Sequence, residues 1–291
     1  MAVIATGFFD GVHLGHRQVL GTLVSCARES GQEAVVLTFS QHPRTVLQQD
    51  AMNLRLLNSL DEKRALLESA GIDRVEVLDF TKAFAGMDTE SYLQFLRNRF
   101  DATSVVLGYD NRIGSDQLMP QDITAIAERC GVRTVIAPPV DSPDGGHISS
   151  TRIRRTLEAG DVQAAEAMLG YRYSLRGAVV AGNRIGRTLG YPTANMQLYE
   201  PLKMIPAAGA YLVDVDVVGR KLSGMCNVGM RPTVGGSSLT IETNIFDFSE
   251  DIYGLPLEIK FARRLRAERK FNSLDDLKAQ LRADEAACRG L

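Results

Sequence analysis

The sequence predicts a two-part chain, an α/β Rossmann-like half built on a parallel sheet followed by a small antiparallel β-barrel with a C-terminal helix. In the first half, apolar runs alternate with helical segments of about 10 residues, the rhythm of a parallel sheet with helices on both faces. From Tyr171 onward the rhythm changes to short strands separated by turn signals and closed by one helix, as in a small barrel. The length of 291 residues also exceeds one average domain.

The elements follow in order. Val3-Ile4-Ala5-Thr6 reads as a buried strand, and Val19, Leu20, Leu23 and Ala27 fall on one face of the helix after it. Strands are expected over 34–39, 75–78, 104–108 and 134–137, with helices over 61–70, 89–100 and 121–130 between them. Two short helices follow, one capped at Ser149/Ser150 and ending at Gly160, the other capped by Asp161 and ending at Gly170. They mark a junction, giving a first domain over 1–156, a helical linker over 157–170 and a second domain over 171–291. The second domain holds strand candidates over 174–181, 211–218, 221–228, 239–248 and 257–261. Alternation is clear from Tyr211 to Val217, which suggests a half-buried antiparallel strand. The final helix, from Ser273 to about Ala287, is expected to turn Leu274, Leu277 and Leu281 inward.

Composition narrows the function. A formal net charge of −2 gives no general attraction to nucleic acid or a membrane surface. No apolar run approaches the ~20 residues of a membrane span. The first strand leaves no room for a secretory signal, so a cytoplasmic protein is expected. Cys26, Cys130, Cys226 and Cys288 have no short spacing that suits a zinc site or a disulfide framework.

Three stretches carry chemistry. Gly7-Phe8-Phe9-Asp10-Gly11-Val12-His13-Leu14-Gly15-His16 is a strand-to-helix turn rimmed by glycines. Amide N–H groups and the positive end of a helix favour a phosphate there, and His13 and His16 can donate to it. Ile148-Ser149-Ser150-Thr151-Arg152-Ile153-Arg154 places hydroxyls and an arginine fork on the first turn of a helix, a second anion site. In the second half, Gly182, Gly186 and Gly190 recur every four residues before Tyr191-Pro192-Thr193-Ala194-Asn195. Such spacing allows close approach of backbone to a phosphate chain, and Thr193 and Asn195 offer hard oxygens suited to Mg²⁺.

In this order, the Gly7–His16 run, Gln41-His42-Pro43, Gly108-Tyr109-Asp110 and the Ile148–Arg154 run resemble the nucleotidyltransferase module of prokaryotic bifunctional riboflavin kinase/FAD synthetases. The resemblance implies that His13 and His16 contact ATP phosphates and stabilise charge as the FMN phosphate attacks the α-phosphorus. It assigns Gly7, Phe8, Phe9, Asp10, Gly15, Asp110 and Ser149 to the same ATP site, with Ser150, Thr151 and Arg152 holding the outgoing pyrophosphate. The family usually has two aromatics where Asn111 and Ile113 stand, and commonly a proline at Gln41.

The 182–195 loop resembles the flavokinase module of the same family. So do Asn227-Val228-Gly229-Met230-Arg231-Pro232-Thr233, Asp251-Ile252-Tyr253-Gly254 and Leu265–Phe271. The resemblance implies ATP binding by Gly182, Gly186, Arg187, Gly190 and Pro192, Mg²⁺ at Thr193 and Asn195, and Glu242 as the general base for riboflavin. Asn244 stands where the family often has histidine. The expected ligands are small molecules: riboflavin, FMN, FAD and ATP with Mg²⁺, and no nucleic acid or membrane. Oligomeric state is left open. Two rival readings remain: a riboflavin kinase with an eroded adenylyltransferase site, and a flavin- or nucleotide-binding regulator without turnover. The intact His13/His16 and Ser149–Arg154 sets argue against the first, and Thr193, Asn195 and Glu242 against the second.

Overall fold

The computed structural model describes residues 1–47, 54–142, 145–182, 185–233 and 236–290, in two units, Met1–Ser150 and Thr151–Leu291. In the first, the chain runs β1 (Ala2–Thr6), α1 (Leu14–Ser30), β2 (Glu33–Phe39), α2 (Pro43–Val46), α3 (Leu60–Ser69) and β3 (Arg74–Leu78). It continues through α4 (Lys82–Ala85), α5 (Thr89–Phe100), β4 (Ala102–Gly108), α6 (Pro120–Arg129) and β5 (Arg133–Ala137). The five strands are parallel in the order β3-β2-β1-β4-β5.

Successive strand residues face opposite sides, so each strand feeds two cores. Ile4, Val35, Leu37, Val105 and Leu107 pack with Tyr92, Leu93 and Leu96 of α5 and Ile123 and Ala127 of α6. Val3, Ala5, Val36 and Val106 pack on the other face with Leu20, Leu23 and Ala27 of α1 and Leu67 of α3. Caps bound the helices: Gly31 ends α1 in the left-handed region at φ 63°, and Ser59 and Glu62 form a reciprocal capping box at the start of α3.

Strand order fixes where a ligand fits. The chain adds β2 and β3 on one side of β1, then returns to add β4 and β5 on the other. The reversal between β1 and β4 opens a crevice at their carboxyl ends, the usual ligand position in such sheets. The turn after β1 is Gly7–His16, and the turn after β4 begins at Gly108.

The second unit contains most of α7 (Ser150–Glu158), then α8 (Val162–Leu169), β6 (Ser174–Val180), α9 (Ile185–Thr188) and β7 (Ala194–Leu198). After these come β8 (Gly209–Val217), β9 (Arg220–Thr233), β10 (Gly236–Ile245), β11 (Pro256–Ala267) and α10 (Leu274–Arg289). The strands form a closed antiparallel barrel in the order β10-β7-β6-β11-β8-β9. Val213, Val215 and Val217 of β8 point inward, and Tyr211 meets Phe261 edge-on inside the barrel. The two helices expected as a linker pack within this unit: Leu157 O accepts from Ala207 N at 3.0 Å, and α8 lies on β11.

Two expectations need correction. Ala194 and Asn195, read as the end of the 182–195 loop, open β7, a strand of the barrel. In α10, Leu274 is exposed, Leu277 and Leu281 are half-buried as expected, and the buried residues are Asp284 and Cys288. A paired carboxylate shares the inner face with the leucines, because Arg266 reaches Asp284 at 2.7 Å and neutralises it.

Candidate functional site

In the first unit the site is the turn that joins β1 to α1. Phe9 (φ 53°), Gly11 (φ 87°) and Val12 (φ 34°) all lie in the left-handed region, which is costly for Phe and Val. The turn is therefore held from several directions. Phe8 O accepts from Thr38 Oγ1 at 3.2 Å and from Lys63 Nζ at 3.1 Å, and Asp10 O accepts from Ser150 Oγ at 2.9 Å. Asp10 Oδ1 accepts the backbone N–H groups of Leu57 and Asn58 at 2.9 and 3.3 Å. A Cβ on Gly7 would press on the Phe9 ring at 3.2 Å, and one on Gly15 on the His13 ring at 3.3 Å.

His13 caps α1, its Nδ1 accepting the backbone N–H of His16 at 3.3 Å. That acceptor role places the proton of a neutral His13 on Nε2. The His13 and His16 rings stack with centroids 3.6 Å apart, and Phe9 meets His16 edge-on. Burial lowers the His13 pKa to about 4, with His147 adding to the effect. Burial, then His13 and Lys63, hold His16 well below the usual histidine range. Near neutral pH the pair is uncharged, so what it can offer a ligand is N–H donation. His16 Nδ1 is shut off from solvent with no partner among the described residues.

The depressed His13 pKa has a consequence for stability. Between about 6.5 and about 4 the unfolded chain binds a proton that the folded His13 does not, so stability falls as pH drops through that window. Thermal melts of the first unit should shift down over that range, and less so in His13→Asn. Equal shifts in both would mean that other groups set the acid limb.

Around the turn, His42 meets the Phe8 ring edge-on at 4.5 Å. Tyr109 Oη contacts His147 at 2.8 Å, and His147 lies 3.8 Å from the exposed Asp110 carboxylate. Asn111 donates to Thr6 O at 3.5 Å, at the end of β1, while Ile113 is buried in the sheet core. Ser149 and Arg152 are half-buried and Thr151 is exposed, at the start of α7.

In the second unit, Glu242 of β10 sits opposite Asn195 of β7 and Asn227 of β9. These three side chains form a polar row across three strands on one face of the wall. Thr193 Oγ1 donates to Glu242 Oε2 at 3.4 Å. Asn195 lies over Gly182, where a Cβ would come within 2.3 Å of its Nδ2. Gly186 O accepts from Tyr191 N at 2.8 Å, and a Cβ on Gly186 would strike Tyr191 O at 2.2 Å. Gly190, at φ 85°, turns the chain from Arg187 toward Pro192. Asn183 and Arg184 of this loop lie outside the described residues. Asn244 pins the turn by donating to Pro192 O at 2.7 Å. A cavity of about 550 Å³ opens beside it, lined by Arg187, Pro192, Thr193, Phe248 and Tyr253 among others.

The comparisons agree with this geometry. The family model described as FAD synthetase matches residues 1–152, and the one described as riboflavin kinase matches 169–291. Curated proteins named bifunctional riboflavin kinase/FMN adenylyltransferase match nearly the whole chain. The Bacillus subtilis (strain 168) protein is 34% identical, covering 98% of this chain and 90% of its own. The Haemophilus influenzae protein is 36% identical, covering 97% and 91%. The chain belongs to the bifunctional riboflavin kinase/FMN adenylyltransferase family. A Streptococcus pneumoniae crystal structure described as a macrolide-efflux protein is also similar, at 35% identity and a TM-score of 0.93, covering 100% of this chain and 94% of its own. No helix among the described residues of this chain is long and apolar enough to cross a membrane.

Within that family frame, several site-adjacent residues carry no sequence motif. Lys63 reaches the turn from α3, and His147 stands beside Tyr109. Only the His147 position, directly before the Ile148–Arg154 run, could have been suspected from sequence.

Proposed function

We propose that the chain makes FAD in two steps, with residues 1–156 transferring adenylyl and residues 171–291 phosphorylating. In the second unit, riboflavin is phosphorylated by ATP to FMN. In the first, the FMN phosphate attacks the α-phosphorus of a second ATP, forming FAD and releasing pyrophosphate. The observation that carries this reading is the presence in one chain of two chemically distinct sites: a stacked, neutral imidazole pair at the switch point of a parallel sheet, and a carboxylate in a polar row on a barrel.

The kinase step needs a base for the riboflavin hydroxyl, and Glu242 is placed to accept that proton as the oxygen attacks the γ-phosphate. Gly182, Gly186 and Gly190 let backbone approach the phosphates, with Arg187 and Pro192 lining the neighbouring cavity. Thr193 and Asn195 suit Mg²⁺, which takes one or two protein oxygens and completes its shell with phosphates and water. The chemistry of the donors supports this: a hydroxyl beside a carboxylate at 3.4 Å, and a carboxamide held over a glycine. No cluster of three or more His, Cys, Asp or Glu side chains that could hold a metal occurs among the described residues. When bound, the ion offsets negative charge on the phosphates.

The transfer step is electrostatic. His13 and His16 donate N–H to phosphate oxygens whose charge changes as the bond to pyrophosphate breaks. Ser150 ties its helix start to the turn and, with Thr151 and Arg152, holds the outgoing pyrophosphate, while Ser149 belongs to the ATP site. Gly7, Phe8, Phe9 and Gly15 shape the turn, Asp10 braces it, and Asp110 stands at the β4 end. We also assign the protein to the cytoplasm.

Incubation with riboflavin, ATP and Mg²⁺, followed by chromatography, tests the reading. FMN and FAD together are expected. FMN alone would leave only the kinase, and neither product would leave a binding protein. Gly182→Ala adds a local test: the new methyl displaces Asn195, lowering FMN formation about tenfold, equivalent to roughly 1.4 kcal/mol. The KM for Mg²⁺ should rise with it, while FAD formation from supplied FMN holds. An unchanged Mg²⁺ dependence would remove Asn195 from the metal site.

A further inference from the structure

Lys63 lies on α3 in a stretch that sequence would leave in solvent, yet it is only 3% exposed. Its ammonium donates to Phe8 O at 3.1 Å and Phe39 O at 3.3 Å, and stands 4.0 Å from the Phe8 ring centroid. Phe8 follows β1 and Phe39 ends β2, so one cation spans the carboxyl ends of two neighbouring strands. Because the peptide is trans and planar, fixing the Phe8 carbonyl inward turns the Phe9 N–H outward. It also holds Phe9 in its left-handed conformation. Burying an ammonium is expensive, and a methionine would fill the same space without that cost. The charged and titratable groups around it are Asp10 in the turn, which favours its charge, and His16 on α1, which is disfavoured by it. His42 meets the same Phe8 ring edge-on.

We propose that Lys63 is a positioning residue of the adenylyl-transfer site, fastening the Phe8–Asp10 turn to β2 and placing behind it a positive charge that favours the ATP triphosphate. This rests on the reading of the first unit as the adenylyltransferase. Removing the charge weakens ATP binding more than FMN binding, because the triphosphate carries the larger negative charge and is the group proposed to lie on the turn.

The test uses the full chain with Lys63→Met and Lys63→Arg. FAD formation from FMN is measured against ATP concentration from about pH 6.5 to about pH 9.5, spanning the ammonium's range. In Lys63→Met the KM for ATP should rise about tenfold, less than the ~10²-fold expected for a donor touching the reacting atoms. The KM for FMN and the riboflavin kinase rate should hold. Burial pushes the Lys63 ammonium down to about 8, so the wild-type KM for ATP should climb as pH rises through that value. The climb should vanish in both variants, and Lys63→Arg should keep a low KM at the alkaline end. If Lys63→Arg misfolds, as thermal melting would reveal, the Lys63→Met comparison decides alone. A Lys63→Met protein with the wild-type KM and the same alkaline climb overturns the proposal. So does a loss shared equally by ATP, FMN and kcat with the climb retained, which marks plain structural support. A wild-type chain that makes no FAD overturns the adenylyltransferase reading itself, an outcome visible before any variant is compared.

Discussion

Glu242→Gln should cut FMN formation from riboflavin by about 10²- to 10⁴-fold, the usual worth of a positioned general base. The substitution keeps the side chain's size and its place opposite Asn195 and Asn227 on the barrel wall. What it removes is the ability to accept a proton, since an amide in contact with Thr193 cannot serve as a base. Stability should therefore change little, and a thermal melt beside the assay checks this. FAD formation from supplied FMN should continue at the wild-type rate, because the residues proposed for that step all lie within 1–156. FAD formation from riboflavin should stop with the kinase. If Glu242→Gln lost both reactions equally, the assignment of two separate sites would fail. If it lost neither, another group deprotonates riboflavin and the polar row has only a structural role.

The parts of this protein legible in sequence are those whose determinants are local. The Gly7–His16 turn announces itself because its glycines, its histidines and the strand and helix around it lie within about thirty residues. The parallel sheet with helices on both faces follows from alternating elements. β7 stayed hidden because the glycine and proline signals before it mask a five-residue strand with only Ala194 and Met196 buried. The inward face of α10 was only partly legible because leucine spacing outweighed a charge whose partner, Arg266, sits on another element. Lys63 was invisible for the same reason. It follows Ser59-Leu60-Asp61-Glu62, a capping sequence that suggests a solvated helix start, and its partners Phe8 and Phe39 are 55 and 24 residues away. Asn111 and Ile113, departures from the family's aromatics, take up places that sequence could not assign: one tethers the end of β1, the other fills the core.

His16→Ala should slow FAD formation from FMN by about 10²-fold or more, with the loss in kcat, as for a donor that meets charge developing in the transition state. His16 is held off the imidazolium form by burial and by the neighbouring His13 and Lys63, so it contributes an N–H donor near neutral pH. The alanine removes that donor and also the ring on which His13 stacks at 3.6 Å. His16→Gln separates the two effects. It restores a neutral N–H donor without the aromatic face, so activity above that of alanine assigns the larger part to donation. Activity equal to alanine assigns it to the stacked geometry that aims His13 Nε2. In both variants the riboflavin kinase reaction should hold, since the base and the metal ligands proposed for it belong to the second unit. Wild-type FAD synthesis in His16→Ala would remove the imidazole from the mechanism and leave the backbone of the turn as the phosphate ligand.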